Sequence, residues 1–368
     1  MRIVEIHVYQ KPLPVSGKPY KMSRSAVTHL DSTIVEVVTE TGLVGYGETC
    51  PVGSTYQPQH ALGARAALAE MGQGLVGQNA LQIGNVHRAM EMSLNGSRYA
   101  KAAVDIALWD IAGKAYGARV CDLLGGAVRE RVPSYYSVTV TPPDEAARMA
   151  AEKQAEGFTR LQVKVAGRPL EEDIATIRKI GEVLKPGIRL AIDANRGWTT
   201  RDALTVSRLT AEVNYVMEQP CDTIEEVASI RPVLQHPVYL DESTESLNVV
   251  LRAVAIGIAD GFGFKVTRVG GLSTLRTIRD ICRARSLPHT CDDAWGGDII
   301  AAACVHIGAT VDPHLCEGVW IAAPYIDGHY DREHPVAIRD GWLDVPTGPG
   351  LGVVPDRDAL GKPVMSFA

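Results

Sequence analysis

Three short apolar runs, each closing on an acidic residue, constrain this chain more than any other feature: Arg189-Leu-Ala-Ile-Asp193, Asn214-Tyr-Val-Met-Glu218 and Pro237-Val-Tyr-Leu-Asp241. Each has the length and β-rich character of a buried parallel strand, and the segments between them, 199–211 and 223–234, carry helical periodicity. The acids stand 25 and 23 residues apart, about one βα unit each. A parallel barrel would therefore set all three at the C-terminal ends of adjacent strands, converging on one point. Three carboxylates meeting in a cavity repel one another and drift toward protonation unless a cation holds them. An all-oxygen set favours Mg²⁺, or Mn²⁺ in its place, over Zn²⁺, which would call for His or Cys. The plainer reading, an acid capping the next helix, explains one such residue more easily than three in succession.

The 368 residues suffice for one barrel and a smaller attached domain. A net charge of −6 and the absence of a long basic run argue against a nucleic-acid partner. The N-terminal stretch alternates like a strand and has no secretory apolar core, and no apolar run reaches the ~18 residues of a membrane span. No membrane partner and a cytoplasmic location are expected. Seven cysteines without a Cys-x-x-Cys pair read as reduced and mostly buried.

Residues 1–125 read as an α+β unit. It has strands at 3–10, 33–39 and 44–48, then helices near 58–73, 80–93 and 98–117, the last with an apolar stripe from Ala100 to Ala112. The loop Thr49 to Tyr56 ends on a phenol that can either pack the loop down or reach a substrate. From Val132 the pattern becomes seven or eight β/α repeats of about 20 to 30 residues, so 126–320 is read as a modified (β/α) barrel. Its strands fall near 132–140, 161–165, 189–193, 214–218, 237–241, 262–266, 288–292 and 314–318. A doubly wound sheet is disfavoured because no Gly-x-Gly-x-x-Gly opens any of the helices. The Pro- and Gly-rich segment 321–368 is expected to return to the N-terminal unit. The fold class is thus an α/β barrel (modified TIM barrel) with an α+β capping domain.

Two lysines close strands on either side of the acidic series, Lys164 on the second and Lys265 on the sixth. Both would point into the same cavity and could face a cation-bound substrate from two sides. Aromatic and acidic groups gather at the same end: Asp292, Asp293 and Trp295 after the seventh strand, Trp320 near the eighth, and Tyr56 from the capping loop. Aromatic faces beside acid suit a quaternary ammonium, held by cation–π attraction of ~0.5 to 2 kcal/mol per contact.

With these residues in view, the chain resembles the enolase superfamily in its mandelate racemase and muconate lactonizing branch, over essentially its whole length. The run Ala103-Val-Asp-Ile-Ala-Leu-Trp-Asp-Ile-Ala-Gly-Lys114, then Asp193-Ala-Asn195, Glu218-Gln-Pro220, Asp241-Glu-Ser243 and Lys265-Val-Thr-Arg268-Val-Gly-Gly271 carry the likeness. The resemblance implies that Asp193, Glu218 and Asp241 bind Mg²⁺, that Lys164 and Lys265 are the acid/base pair, and that copies of the chain assemble, as relatives often do. One position departs: Gln162 stands where this branch usually has the first lysine of Lys-x-Lys, so Lys164 loses a like charge that would help depress its pKa. Gln162 is counted instead with the substrate-facing residues.

Abstraction of a proton beside a carboxylate gives an enediolate, and the base must be neutral, well below the ordinary lysine value of ~10.4. With one lysine on each face, inversion at Cα is the natural outcome. The stretches 49–56, 292–298 and 317–325 look most like hydroxyproline-betaine and proline-betaine 2-epimerases. The cis-3-hydroxyproline dehydratases share Trp-Gly-Gly-Asp after strand seven and differ in expelling a β-hydroxyl. A metal-containing betaine-binding protein without turnover is the reading from a different class. The expected partner is therefore a small amino acid or betaine.

Overall fold

The computed structural model describes residues 1–368 except Arg24, Ser54 and Ala294. Ser54 and Ala294 belong to the two loops read above as facing a substrate. Eight strands form one parallel sheet in chain order: Tyr136–Val138, Arg160–Lys164, Arg189–Asp193, Val216–Glu218, Val238–Leu240, Gly261–Lys265, His289–Asp292 and Cys316–Gly318. The sheet curls until its ends meet in a parallel bridge between Ser134 and Val319, where the Val319 amide donates to the Pro133 carbonyl at 2.9 Å. Register places Lys164 beside Asp193 and Asp193 beside Glu218, so these three lie level at the C-terminal rim.

The first strand departs from the reading at 132–140. It is broken into Arg131–Pro133, which pairs with Trp342–Asp344 of the C-terminal segment, and Tyr136–Val138, which enters the barrel. The other strands lie within two residues of their expected limits. Helices between them start where the sequence supplies caps: Thr199 and Thr223 each form a reciprocal capping box with the acid three residues on. Directly after the eighth strand a short 3₁₀ turn, Ala323–Tyr325, stands where the other repeats carry a helix, and among the described residues the next helix is the single turn Arg357–Leu360.

The capping sheet runs Met365–Phe367, Ile3–Pro14, His29–Thr39, Val44–Thr49, all antiparallel. The helix Arg98–Tyr116 was expected to bury one stripe. It is instead buried continuously from Tyr99 to Gly113, because it is covered by the capping sheet and the other cap helices and also reaches the barrel, where Trp109 Nε1 donates to Ser273 Oγ at 2.9 Å. Its buried charges are all partnered, as burial requires. Lys101 meets Glu91, Asp105 meets His87, and Asp110 accepts from the Tyr46 and Leu351 amides and from Lys114. Among the described residues no helix is long and apolar enough to cross a membrane.

Gly45 and Gly47 permit the close approach of Val44–Thr49 to this helix; a Cβ on Gly47 would overlap the Ala103 carbonyl oxygen. Backbone cannot move aside as a side chain can. Gly47→Ala should therefore cost about 3 kcal/mol or more, the upper end of overpacking effects, read as a lower midpoint in denaturant unfolding. Unchanged stability would show that the strand and helix are not in this contact.

Candidate active site

The chain turns sharply just past three of the strand ends. Ala166, Asn195 and Gln219 all have positive φ (67°, 43° and 36°), uncommon for residues with a side chain, and they follow Lys164, Asp193 and Glu218 by one or two positions. Side chains from the turns lock the rim. The Asn195 amide nitrogen donates to Asp193 at 3.0 Å and to Glu242 at 2.9 Å. The Gln219 carbonyl oxygen accepts from the Asp241 and Ser243 amides, tying the fourth strand end to the fifth.

Carboxylate oxygens of Asp193, Glu218 and Asp241 lie within 4.8 Å of one another, and all three residues are buried. The set is the hard, all-oxygen one that suits Mg²⁺ or Mn²⁺. Its charge is unbalanced in a way a cation would relieve. Burial, with Asp193 and Asp241 adding to it, pushes Glu218 up to about 7. Burial likewise lifts Glu242 to about 8, again with Asp241 and Asp193 contributing. For Asp241 burial is outweighed by Arg268 and Lys265, which hold it down at about 2.

Lys164 and Lys265 line one cavity, from strands separated by the three that carry the carboxylates. Lys164 is ion-paired with Asp193, and Lys265 Nζ lies 3.6 Å from Asp241 and 3.4 Å from Asp292. Burial favours the neutral amine in both, but it is outweighed at Lys164 by the Asp193 charge and at Lys265 by Asp241 and Asp292, so both stand above the ordinary lysine value. This is the opposite direction from that expected of a base, and its cause is that the amines serve as counterions to the acidic trio.

The cavity, about 30 Å³, is lined by Tyr56, Gln162, Asp293, Trp295 and Trp320 of the residues read as substrate-facing, together with both lysines. Tyr56 donates its phenol to Asp241 at 3.2 Å. Gln162 donates to both Glu218 oxygens at 2.9 Å, so it serves the acidic trio as well as the cavity. Asp293 accepts from Thr267 on one oxygen, while its other oxygen is buried without a hydrogen-bond partner among the described residues; burial pushes it up to about 7.

Asp292 is placed differently from the reading. It is fully buried outside the cavity lining, with its oxygens taken by Tyr135 OH at 2.8 Å, Thr290 Oγ1 at 2.5 Å and the Trp320 amide at 2.7 Å. Its role by geometry is to hold Lys265.

Two aromatic residues of the site went unread in the sequence. Tyr20, from the short strand Tyr20–Lys21 that pairs with Ala26–Val27 between the first two long cap strands, stands edge-on to Trp295 at 5.3 Å and bonds Ser137. Tyr325 stacks on Trp320 at 5.4 Å. Nothing local to Tyr20 signals its role, since that segment reaches the barrel only through the fold. The Trp295-Gly296-Gly297 turn is anchored by buried Glu48 of the cap, which accepts from the Gly297 and Ile300 amides at the start of the helix Asp298–Ala309.

This arrangement has close counterparts. Residues 3–125 match the mandelate racemase / muconate lactonizing enzyme N-terminal domain, and 145–359 match the enolase C-terminal domain-like family. A cis-3-hydroxy-L-proline dehydratase from Roseibium aggregatum is 38% identical over the whole of both chains. An N-succinyl-L-Arg/Lys racemase from Bacillus cereus is 30% identical over 74% of each. Among solved structures, a mandelate racemase/muconate lactonizing enzyme homologue from Roseovarius nubinhibens complexed with magnesium superposes with a TM-score of 0.96 at 32% identity, covering both chains fully. A dipeptide epimerase from Cytophaga hutchinsonii, complexed with Mg and the dipeptide D-Ala-L-Val, gives 0.93 at 26% identity, again over both chains. The chain belongs to the mandelate racemase / muconate lactonizing enzyme branch of the enolase superfamily.

Proposed function

We propose that this protein is a Mg²⁺-dependent epimerase that inverts Cα of a cyclic N-methylated amino acid, proline betaine or 4-hydroxyproline betaine, by proton transfer between two lysines. The observation that carries the reading is the pair Lys164 and Lys265 lining one cavity from strands two and six, with the acidic trio between them. Asp193, Glu218 and Asp241 would hold the ion, and Mn²⁺ suits the same donors. Such an ion would supply the countercharge to the trio and offset the negative charge that grows on the substrate carboxylate as Cα loses its proton.

The protein's own groups then divide the work. With Asp193 and Glu218 both engaged by the ion, burial would meet less opposing charge on the Lys164 amine, and it favours the neutral base. The lysine on the opposite side keeps its proton for the far face, which is what inversion requires. Asp292 keeps the Lys265 nitrogen directed at the cavity. The quaternary nitrogen would sit among Trp295, Trp320 and Tyr20, with the unpartnered Asp293 oxygen as its countercharge; a methylated nitrogen offers no hydrogen bond, so faces and charge must hold it.

A second reading is favoured by the dehydratase relative, identical at 38% over full length. Elimination would begin with the same Cα abstraction and end with loss of a β-hydroxyl in place of reprotonation.

Incubation with proline betaine, 4-hydroxyproline betaine and cis-3-hydroxyproline, with Mg²⁺ or EDTA, separates the two readings. Change of optical rotation without loss of water is expected for the betaines; a dehydrated product from cis-3-hydroxyproline alone would replace the epimerase reading. Lys164→Ala and Lys265→Ala should each lower inversion by about 10²- to 10⁴-fold, while Cα exchange with D₂O persists for one enantiomer in each variant. Inversion surviving in either variant would refute the two-base assignment. For the metal-free protein, Mg²⁺ at 100 times its Kd should add about 2.7 kcal/mol of stability, seen as a rise in Tm that Asp241→Asn removes. No rise in the parent chain would remove the cation from the mechanism.

A further inference from the structure

Barrel interiors are ordinarily filled with Val, Ile and Leu. The second strand instead points Arg160, Gln162 and Lys164 inward, at two-residue spacing along one face. Arg160 is among the largest fully buried side chains of the protein. Its guanidinium lies 3.7 Å from Glu218 on one side and 3.3 Å from Glu317 on the other, and it stacks 4.2 Å over the Tyr135 ring. Glu317 already has a second cation, Arg189, at 3.0 Å. Two of the Arg160 nitrogens, Nε and Nη1, have no hydrogen-bond partner among the described residues. Burying such a group where an aliphatic residue would pack costs several kcal/mol of desolvation, which is repaid only if the charge is used.

We propose that Arg160 is a positioning residue for Glu218. It places a permanent positive charge beneath the acidic trio and keeps the Glu218 carboxylate turned toward Asp193 and Asp241. The position that usually carries the first lysine of Lys-x-Lys holds a neutral amide here. Gln162 satisfies the oxygens of Glu218 without balancing their charge, and the nearest strand-two cation to Glu218 is one inward-facing step down, at Arg160. Glu317 and the Tyr135 ring fix the guanidinium from the other sides, so its fork has one direction left to act. The inference rests on the reading of the trio as a cation site, and it concerns the residues around that site rather than the substrate.

The test uses divalent ion alone, so it is independent of turnover. Mg²⁺ and Mn²⁺ are titrated calorimetrically into the metal-free parent, into Arg160→Met, and into the charge-balanced double variant Arg160→Met/Glu317→Gln, with folding checked by circular dichroism. The parent should bind, and both variants should bind about 10- to 100-fold more weakly, the range for loss of a group that orients a metal ligand. Affinity restored in the double variant would show that Arg160 merely neutralises Glu317 and would overturn the proposal. Parent-like or tighter binding in the single variant would do the same, as would failure of the double variant to fold. If the parent itself binds neither ion, the cation-site reading falls first, and with it the proposal.

Discussion

Mutual repulsion among three buried carboxylates is the constraint on which the rest of the site depends. Asp193, Glu218 and Asp241 are brought within 4.8 Å by adjacent strand ends, a placement that low dielectric makes costly. The surroundings answer that cost with fixed positive charge: Lys164 against Asp193, Arg268 and Lys265 against Asp241, and Arg160 beneath Glu218. Burial, together with the negative charge these cations do not cancel, raises the proton affinity of Glu218 and Glu242. A divalent ion held by the trio would meet that negative charge, and its entry would be coupled to proton release.

The same constraint separates chemistry from recognition. Groups that handle charge lie on the barrel strands, where register fixes them to one another. The aromatic groups at the cavity come from the seams between barrel, cap and C-terminal segment: Tyr20 and Tyr56 from the cap, Trp320, stacked on Tyr325, from beyond the eighth strand, and Trp295 from a turn anchored by Glu48. Tyr56 alone of these also touches the carboxylate tier, through its hydrogen bond to Asp241. The cap is itself rigidly joined to the barrel through the buried helix Arg98–Tyr116, so these recognition groups stand on a fixed frame.

Much of the barrel was readable because parallel strands buried on both faces leave continuous apolar runs, and because the functional acid marks where each run ends. Asp193, Glu218 and Asp241 could be grouped from spacing alone, and the lysines from their places at the ends of the second and sixth strands. Arg160, two residues before Gln162 on the same face, went unread, because it stands at the start of its strand and not at the end that the acids mark. Asp292 and Asp293 illustrate a different limit. Adjacent in sequence, they occupy opposite environments, one sealed behind Tyr135 and Thr290 and the other open to the cavity, and neighbours remote in sequence decide which is which. The break in the first strand has a similar origin: Pro133 lends its carbonyl to closure of the sheet, and Arg131–Pro133 pairs with a distant strand of the C-terminal segment.

Inversion and elimination share their first step, so the second must distinguish them. After Cα loses its proton, inversion needs a charged donor on the far face, whereas elimination needs an acid close to the β-oxygen. Both lysines here are charged by pairing with carboxylates, Lys164 through Asp193 and Lys265 through Asp241 and Asp292. Only the pairings through Asp193 and Asp241 compete with a cation among the trio; the contact of Lys265 with Asp292 does not. With a cation on the trio, Lys265 would thus keep one carboxylate partner that Lys164 lacks, although Arg268 opposes the charge on Lys265. An epimerase running in both directions would then have unequal demands on its two amines, and the asymmetry would reside in Asp292, the carboxylate that sequence alone placed at the substrate.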